Sequence, residues 1–169
     1  SHLSSLRLLM VASNFPPVIG GLQTYALRLA QHFHAHCAEL LVVAPRSLGC
    51  SEYDALNPWS TRRLRSIDDD LALSGIAPLA ALLARRGFDA AFATHWAPGF
   101  AVLRAARLAR VELPVISALL GKELVHRPFG RVPLAQSVYN GIRRRALQEP
   151  SGLISISART TELAIEAGA

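Results

Sequence analysis

The sequence predicts an α/β fold: an open, doubly wound and mainly parallel sheet with helices on both faces. Three observations carry that expectation. Short apolar runs alternate with longer amphipathic ones along the whole chain. The short runs are apolar throughout rather than at every second residue, which suits strands buried on both faces of a parallel sheet. The chain has 169 residues, 51% of them hydrophobic and only 18% charged. That composition describes one globular domain with a sizeable core and not a disordered segment.

Taken in order, the first strand covers 6–12 and ends in the turn Ser13–Gly21. The helix that follows carries Leu22, Tyr25, Ala26, Leu29, Ala30 and Phe33 on one stripe. A second strand covers 39–44, and the long stretch from Pro45 to Arg62 reads as a surface excursion with Trp59 folded back. A weak strand near 63–67 leads to Asp68-Asp69-Asp70. These carboxylates favour the start of a helix over 71–86, and capping is a better reading of them than a metal site. Strands over 89–94, 113–118 and 152–156 alternate with helices over about 98–110, 133–148 and 157–167, with Pro98 and Pro133 near two of the helix starts. Crossovers between such parallel strands are expected to be right-handed.

In a sheet of this kind ligands bind beyond the carboxyl ends of the strands. The rule selects Ser13–Gly21, Pro45 onward, His95-Trp96, Leu119–His126 and Ser157. Gly20 and Gly21 sit where the first helix begins. Glycine tolerates positive φ and has no Cβ, so a ligand can approach the backbone closely. The first helical N–H groups are unpaired and at the positive end of the helix dipole, which favours a phosphate. A turn that needs glycine for its geometry alone is the competing reading. His95 follows its strand directly, either as a polar ring in the cleft or as a packing histidine beside Trp96. His32 and His36 are one helical turn apart with no third ligand evident, so a cluster at a helix terminus is preferred to a metal site.

Several function classes are disfavoured. The dinucleotide fingerprint G-x-G-x-x-G is absent after the first strand. Gly121-Lys122 continues as Glu-Leu and makes no P-loop, and there is no G-x-S-x-G elbow. Cys37 and Cys50 follow no metal or redox spacing and are read as reduced thiols. No apolar run approaches the roughly 20 residues of a membrane span. The first apolar run is too short for a secretory leader and is followed by Pro16-Pro17. The net charge of +6 comes from arginine, Lys122 being the sole lysine. The arginines cluster at 62–65, 85–86, 104–110 and 143–145, and Arg104, Arg107 and Arg110 are expected on one exposed helix face. A solvated surface or contact with anionic lipid or an anionic acceptor fits these clusters. Nucleic acid is not expected, because no interleaved aromatics and no binding motif accompany them.

The segment Asn14-Phe15-Pro16-Pro17-Val18-Ile19-Gly20-Gly21-Leu22-Gln23 resembles the FPP-x-x-GG-hydrophobic-Glu/Gln opening of family-4 (group 1) glycosyltransferases of the GT-B fold. Pro114 to Leu124 is similar to the family's P-hydrophobic-hydrophobic-x-x-x-His-Gly-x-Glu/Asp segment: Gly121 and Glu123 match, while Leu120 stands at the usual histidine. Pro150 to Ala158 resembles the family's A-D-x-I-I-x-x-S strand and following helix. The resemblance runs in order over nearly the whole chain.

The resemblance implies that residues 1–169 form the Rossmann-like, acceptor-side N-terminal half of a GT-B enzyme, and that the second, donor-binding domain lies outside these residues. It implies transfer of a sugar from a nucleotide-sugar to a glycan or lipid-linked acceptor, with retention and with neither metal nor cofactor. The isolated domain would be inactive. Gly20 and Gly21 would face the donor phosphates. Gln23, His95, Lys122, Glu123 and His126 are candidates for the acceptor or cleft surface, and His126 could replace the histidine lost at Leu120. A cytoplasmic protein, peripheral at the inner face of an anionic membrane, is the linked expectation. A non-catalytic binding module and a different nucleotide-using Rossmann-like enzyme remain as alternatives.

Overall fold

Residues 5–65 and 73–169 are described in a computed structural model of the chain. They form one six-stranded parallel sheet with helices on both faces, as the apolar runs predict. The strands are β1 (Arg7–Val11), β2 (Glu39–Pro45), β3 (Ser60–Leu64), β4 (Ala90–Ala93), β5 (Val115–Leu119) and β6 (Gly152–Ser155). Their order is β3-β2-β1-β4-β5-β6, with β1 paired to both β2 and β4. The chain therefore winds outward from β1 in one direction and returns to wind the other way from β4. The point of reversal lies between the carboxyl ends of β1 and β4.

Period-2 alternation divides each central strand between two cores. Leu9, Val11, Leu41, Val43, Ala91 and Val115 face one side, where they meet α3 (Ile76–Leu83) and α4 (Trp96–Ala109). Leu8, Met10, Leu40, Val42 and Phe92 face the other, where Ala26 and Ala30 of α1 (Gly21–His36) pack with Phe15 and Trp59. Trp59 is folded back onto this core, as expected. A third cluster joins Trp96, Phe100 and Leu119 to Tyr139 and Leu147 of α6 (Pro133–Gln148) and Ala164 of α7 (Ala158–Glu166). Small residues let α4 approach the sheet closely: a Cβ at Gly99 would overlap the Ser117 hydroxyl of β5.

The structure departs from the sequence expectations in four places. The excursion after β2 contains a short helix, α2 (Cys50–Ala55), and a one-turn helix, α5 (Lys122–Val125), follows β5. The third strand begins at Ser60 and not near residue 63; its register is set by pairing with Leu41 to Pro45 of β2 rather than by an apolar run of its own. The helix expected over 71–86 consists of a 3-10 turn (Leu73–Gly75) and the shorter α3, and Asp68-Asp69-Asp70 lie outside the described residues. The arginine face of α4 is not uniformly exposed, because Arg104 is half-buried and, with Arg107, pairs with Glu149.

Other predicted clusters also resolve into structural pairs. His36 Nδ1 lies 2.7 Å from the His32 carbonyl and the two rings stack, the terminal cluster expected of them. Arg63 is read from sequence as a surface charge, yet its side chain is 7% exposed. Its guanidinium donates to both carboxylate oxygens of Asp54 (2.9 and 2.7 Å), to the Pro45 carbonyl (2.9 Å) and to the Pro16 carbonyl (2.6 Å). It also lies over the Phe15 ring. One arginine thus ties the edge strand, the end of β2 and α2 to the Phe15-Pro16-Pro17 turn.

Candidate functional site

The site is built where the winding reverses. β1 ends at Val11 and the chain passes through Ser13 and Asn14 into the turn that opens α1. β4 ends at Ala93 and delivers His95 beside Ser13. Ser13 Oγ and His95 Nε2 are 2.5 Å apart, a contact between residues 82 positions apart in sequence. His95 is also the N-cap of α4, its Nδ1 accepting from the Ala97 N–H at 3.3 Å. An accepting Nδ1 leaves the ring proton on Nε2, so the imidazole donates to the Ser13 hydroxyl. Burial pulls the His95 pKa down to about 4. At neutral pH the ring is uncharged and acts as a fixed donor.

The opposite wall is α5. Gly121, its N-cap, has φ +101°, a conformation that side-chain-bearing residues rarely adopt, and a Cβ there would crowd Thr160 of α7. Glu123 turns back so that its Oε1 accepts from the Leu120 N–H at 2.6 Å. This returning carboxylate stabilises a helix too short to hold itself. Across the gap, Tyr25 of α1 has its phenol pKa raised, first by burial and then by the Glu123 carboxylate.

Between these walls lies a cleft of about 550 Å³ lined by Leu22, His95, Leu120, Lys122, Glu123 and His126. Four of the residues singled out from sequence (His95, Lys122, Glu123 and His126) are brought together there. His126 shares the cleft with Leu120. Gln23 does not line it: its amide points to Asn14 Oδ1, 3.4 Å away. Gly20 and Gly21 flank it through Leu22.

Neither glycine uses positive φ. Gly20 is extended, and Gly21 is the first residue of α1. Gly20 lacks a Cβ because the Gln23 amide oxygen occupies that place. Gly21 is different: nothing lies within 4 Å of where its Cβ would be. The α1 start has no capping side chain and no acidic residue in its first turn, so no side chain of its own first turn satisfies the leading N–H groups or offsets the positive end of the helix dipole. Sequence reasoning placed Ser13 in a segment beyond the end of β1 but did not pair it with His95, and it read Leu22 and Tyr25 only as members of the apolar stripe of α1, where Leu22 in fact lines the cleft. Among the described residues no group of three or more His, Cys, Asp or Glu gathers to hold a metal ion.

The family model described as "Glycosyl transferase 4-like domain" matches residues 20–169. The chain belongs to that family. This glycosyl transferase 4-like domain is also similar in fold to the crystal structure of Anabaena HepE in complex with UDP, with a TM-score of 0.66 and 15% sequence identity. The alignment covers 96% of this chain but 41% of that one, so the domain spans less than half of the similar structure. No curated protein matches the chain. The expected Rossmann-like half of a GT-B architecture is therefore the observed fold. No helix among the described residues is long and apolar enough to cross a membrane.

Proposed function

We propose that this domain is the acceptor-binding half of a glycosyltransferase that moves a sugar from a nucleotide-sugar to a glycan or lipid-linked acceptor. The observation that carries the reading is the bare start of α1. In a chain of this family, an uncapped helix end with an open Gly21 flanks a cleft holding a neutral donor, His95, and a carboxylate, Glu123. The UDP bound by Anabaena HepE supports a nucleotide on this architecture. On this reading Gly20 and Gly21 face the donor phosphates, and His95, Lys122, Glu123 and His126 meet the acceptor. Gln23 supports the loop through Asn14 instead of touching ligand. Catalysis comes from positioning and from stabilising the leaving diphosphate at the helix end, with retention at the anomeric carbon and without a metal. A second domain supplies the remaining donor contacts, so residues 1–169 alone do not turn over. Peripheral attachment to the cytoplasmic face of an anionic membrane belongs to the same proposal.

One observation favours a second reading, a binding module without catalysis: Leu120 stands in the cleft where the family pattern has histidine. The test is a panel of UDP-, GDP- and ADP-sugars offered to the full gene product with hydrolysis and transfer both followed. Gly21→Val is the informative variant, since its side chain enters open space and leaves the core untouched. Activity with one donor class, lost in Gly21→Val at unchanged melting temperature, is expected. Silence across the panel from folded protein refutes the transferase and leaves the binding module.

A further inference from the structure

The positive charge of the chain is gathered in one place. Of its 18 lysines and arginines, five (Arg127, Arg131, Arg143, Arg144 and Arg145) lie in residues 124–148, and none of its 12 aspartates and glutamates does. The other 13 cations stand against those 12 carboxylates, so this stretch supplies five charges of the net +6. Elsewhere arginines are answered: Arg7 by Asp89, Arg63 by Asp54, Arg86 by Glu39, and Arg104 and Arg107 by Glu149. Among the described residues no carboxylate pairs with Arg127, Arg131 or Arg145, and all three are exposed. The same stretch holds a groove of about 430 Å³ at the head of α6, lined by Phe129, Val132, Leu134, Ala135, Val138 and Tyr139. Phe129, Val132, Leu134 and Val138 are exposed there, Leu134 by 78%. α6 already buries Tyr139, Ala146 and Leu147 in the core. Leu134, Val138 and Arg145 follow at intervals of four and seven along a separate line of the helix. The helix is therefore apolar on two sides, and the outward side is bounded by arginine before and after it.

We propose that the head of α6, with the loop over 127–132 before it, docks on an anionic lipid bilayer. Leu134, Val138, Val132 and Phe129 enter the boundary between headgroups and acyl chains, and the arginines meet lipid phosphates. The inference rests on the peripheral attachment in the reading above and gives that attachment a surface. Four apolar side chains alone hold a protein on a bilayer only weakly, and exposed arginines alone make a contact that salt screens. Together they supply the two signals that stable attachment needs. Arginine suits the rim of such a patch, because its stem lies along apolar surface while its guanidinium stays with phosphate. The surface is also joined to the cleft. Arg143, over the Tyr139 ring, donates to the His126 carbonyl at 3.3 Å, and His126 lines the cleft. A bilayer on this face lies beside the α5 wall, where a lipid-linked acceptor would arrive.

The experiment follows flotation of the full gene product with phosphatidylcholine vesicles, with and without phosphatidylglycerol. Wild type is expected to float with the anionic vesicles and to stay behind with the neutral ones. Leu134→Ser combined with Val138→Ser should weaken partitioning at least about tenfold. Arg127→Gln and Arg131→Gln should each weaken it about fivefold. All four positions are exposed, so unchanged melting temperatures are expected and are checked. Leu56→Ser, at an equally exposed apolar residue at the end of α2, is the control and should change nothing. Leu134→Trp reports insertion directly, its emission moving to the blue on anionic vesicles. Wild type that ignores anionic vesicles, or partitioning that survives both the arginine and the apolar variants, overturns the inference. So does vesicle binding with the Leu134→Trp emission unchanged, which would mark a contact of charge without insertion. The readings separate cleanly. Partitioning that survives the variants leaves the attachment and removes this face, whereas sugar transfer by a protein that ignores vesicles removes the attachment and leaves the transferase.

Discussion

Replacing His95 by asparagine tests the electrostatics of the cleft most directly. Asparagine retains a capping side chain for α4 but cannot titrate. In the native protein the imidazole has a pKa of about 4, against 6.5 for an unperturbed histidine, and the cause is burial. On acidification the unfolded chain takes up this proton first. The stability contributed by a neutral His95 is therefore complete above pH 6.5 and is lost as pH falls through 4. At about 1.36 kcal/mol per pH unit the full loss is about 3 kcal/mol, of which about 2.5 kcal/mol falls between pH 7.5 and 4.5. Urea unfolding of wild type and His95→Asn across that range isolates the effect, since carboxylate titrations are common to both. The wild type should lose about 2.5 kcal/mol more than the variant. Its His95 ring proton shifts, followed by NMR, should stay flat to below pH 5. Parallel stability curves, or a midpoint near 6.5, would refute the account of a neutral donor held by burial.

Two further outcomes follow from packing. Arg63→Leu should destabilise the domain by about 3–5 kcal/mol in denaturant, because it leaves the Asp54 carboxylate and the Pro16 and Pro45 carbonyls without their shared donor. Arg63→Lys should recover little of this, as an ammonium cannot span all three partners; full recovery would show that charge alone matters. Gly99→Ala should cost about 1–3 kcal/mol by driving α4 off β5 at Ser117, and adding Ser117→Gly should restore part of that loss. Additive losses in the double variant would mean that the two residues are not in contact.

Much of the fold is legible because the parallel strands are written as uninterrupted apolar runs. Leu8-Leu9-Met10-Val11 and Leu40-Leu41-Val42-Val43 can be nothing else once flanked by turn residues and helical stripes. β3 is different. Ser60-Thr61-Arg62-Arg63 has no apolar run, and its strand exists because β2 offers it an edge. α2 and α5, of six and four residues, are too short to show a period. The site divides in the same manner. The place of His95 after β4 and of Gly20-Gly21 at the head of α1 follows from topology rules, and the common cleft of Lys122, Glu123 and His126 follows from their spacing after β5. Ser13 beside His95 does not, since nothing local marks a bond across 82 residues. Arg63 was hidden for the opposite reason: composition groups it with Arg62 and Arg65, and only burial separates it from them.

The two sides of the cleft are not equally stiff by construction. The Phe15-Pro16-Pro17 turn is clamped by the Arg63 guanidinium, which is itself fixed by an edge strand and by Asp54. That side opens only when the sheet edge comes apart, so a ligand meeting Gly21 finds its contacts already in place and loses little entropy in ordering them. The facing side is a single helical turn resting on one glycine, one returning carboxylate and an arginine contact to the His126 carbonyl. Adjustment to ligands of different shape falls to that side. Divergence in what this domain accepts would then be sought between residues 120 and 131, with the glycine-bearing turn left as an anvil.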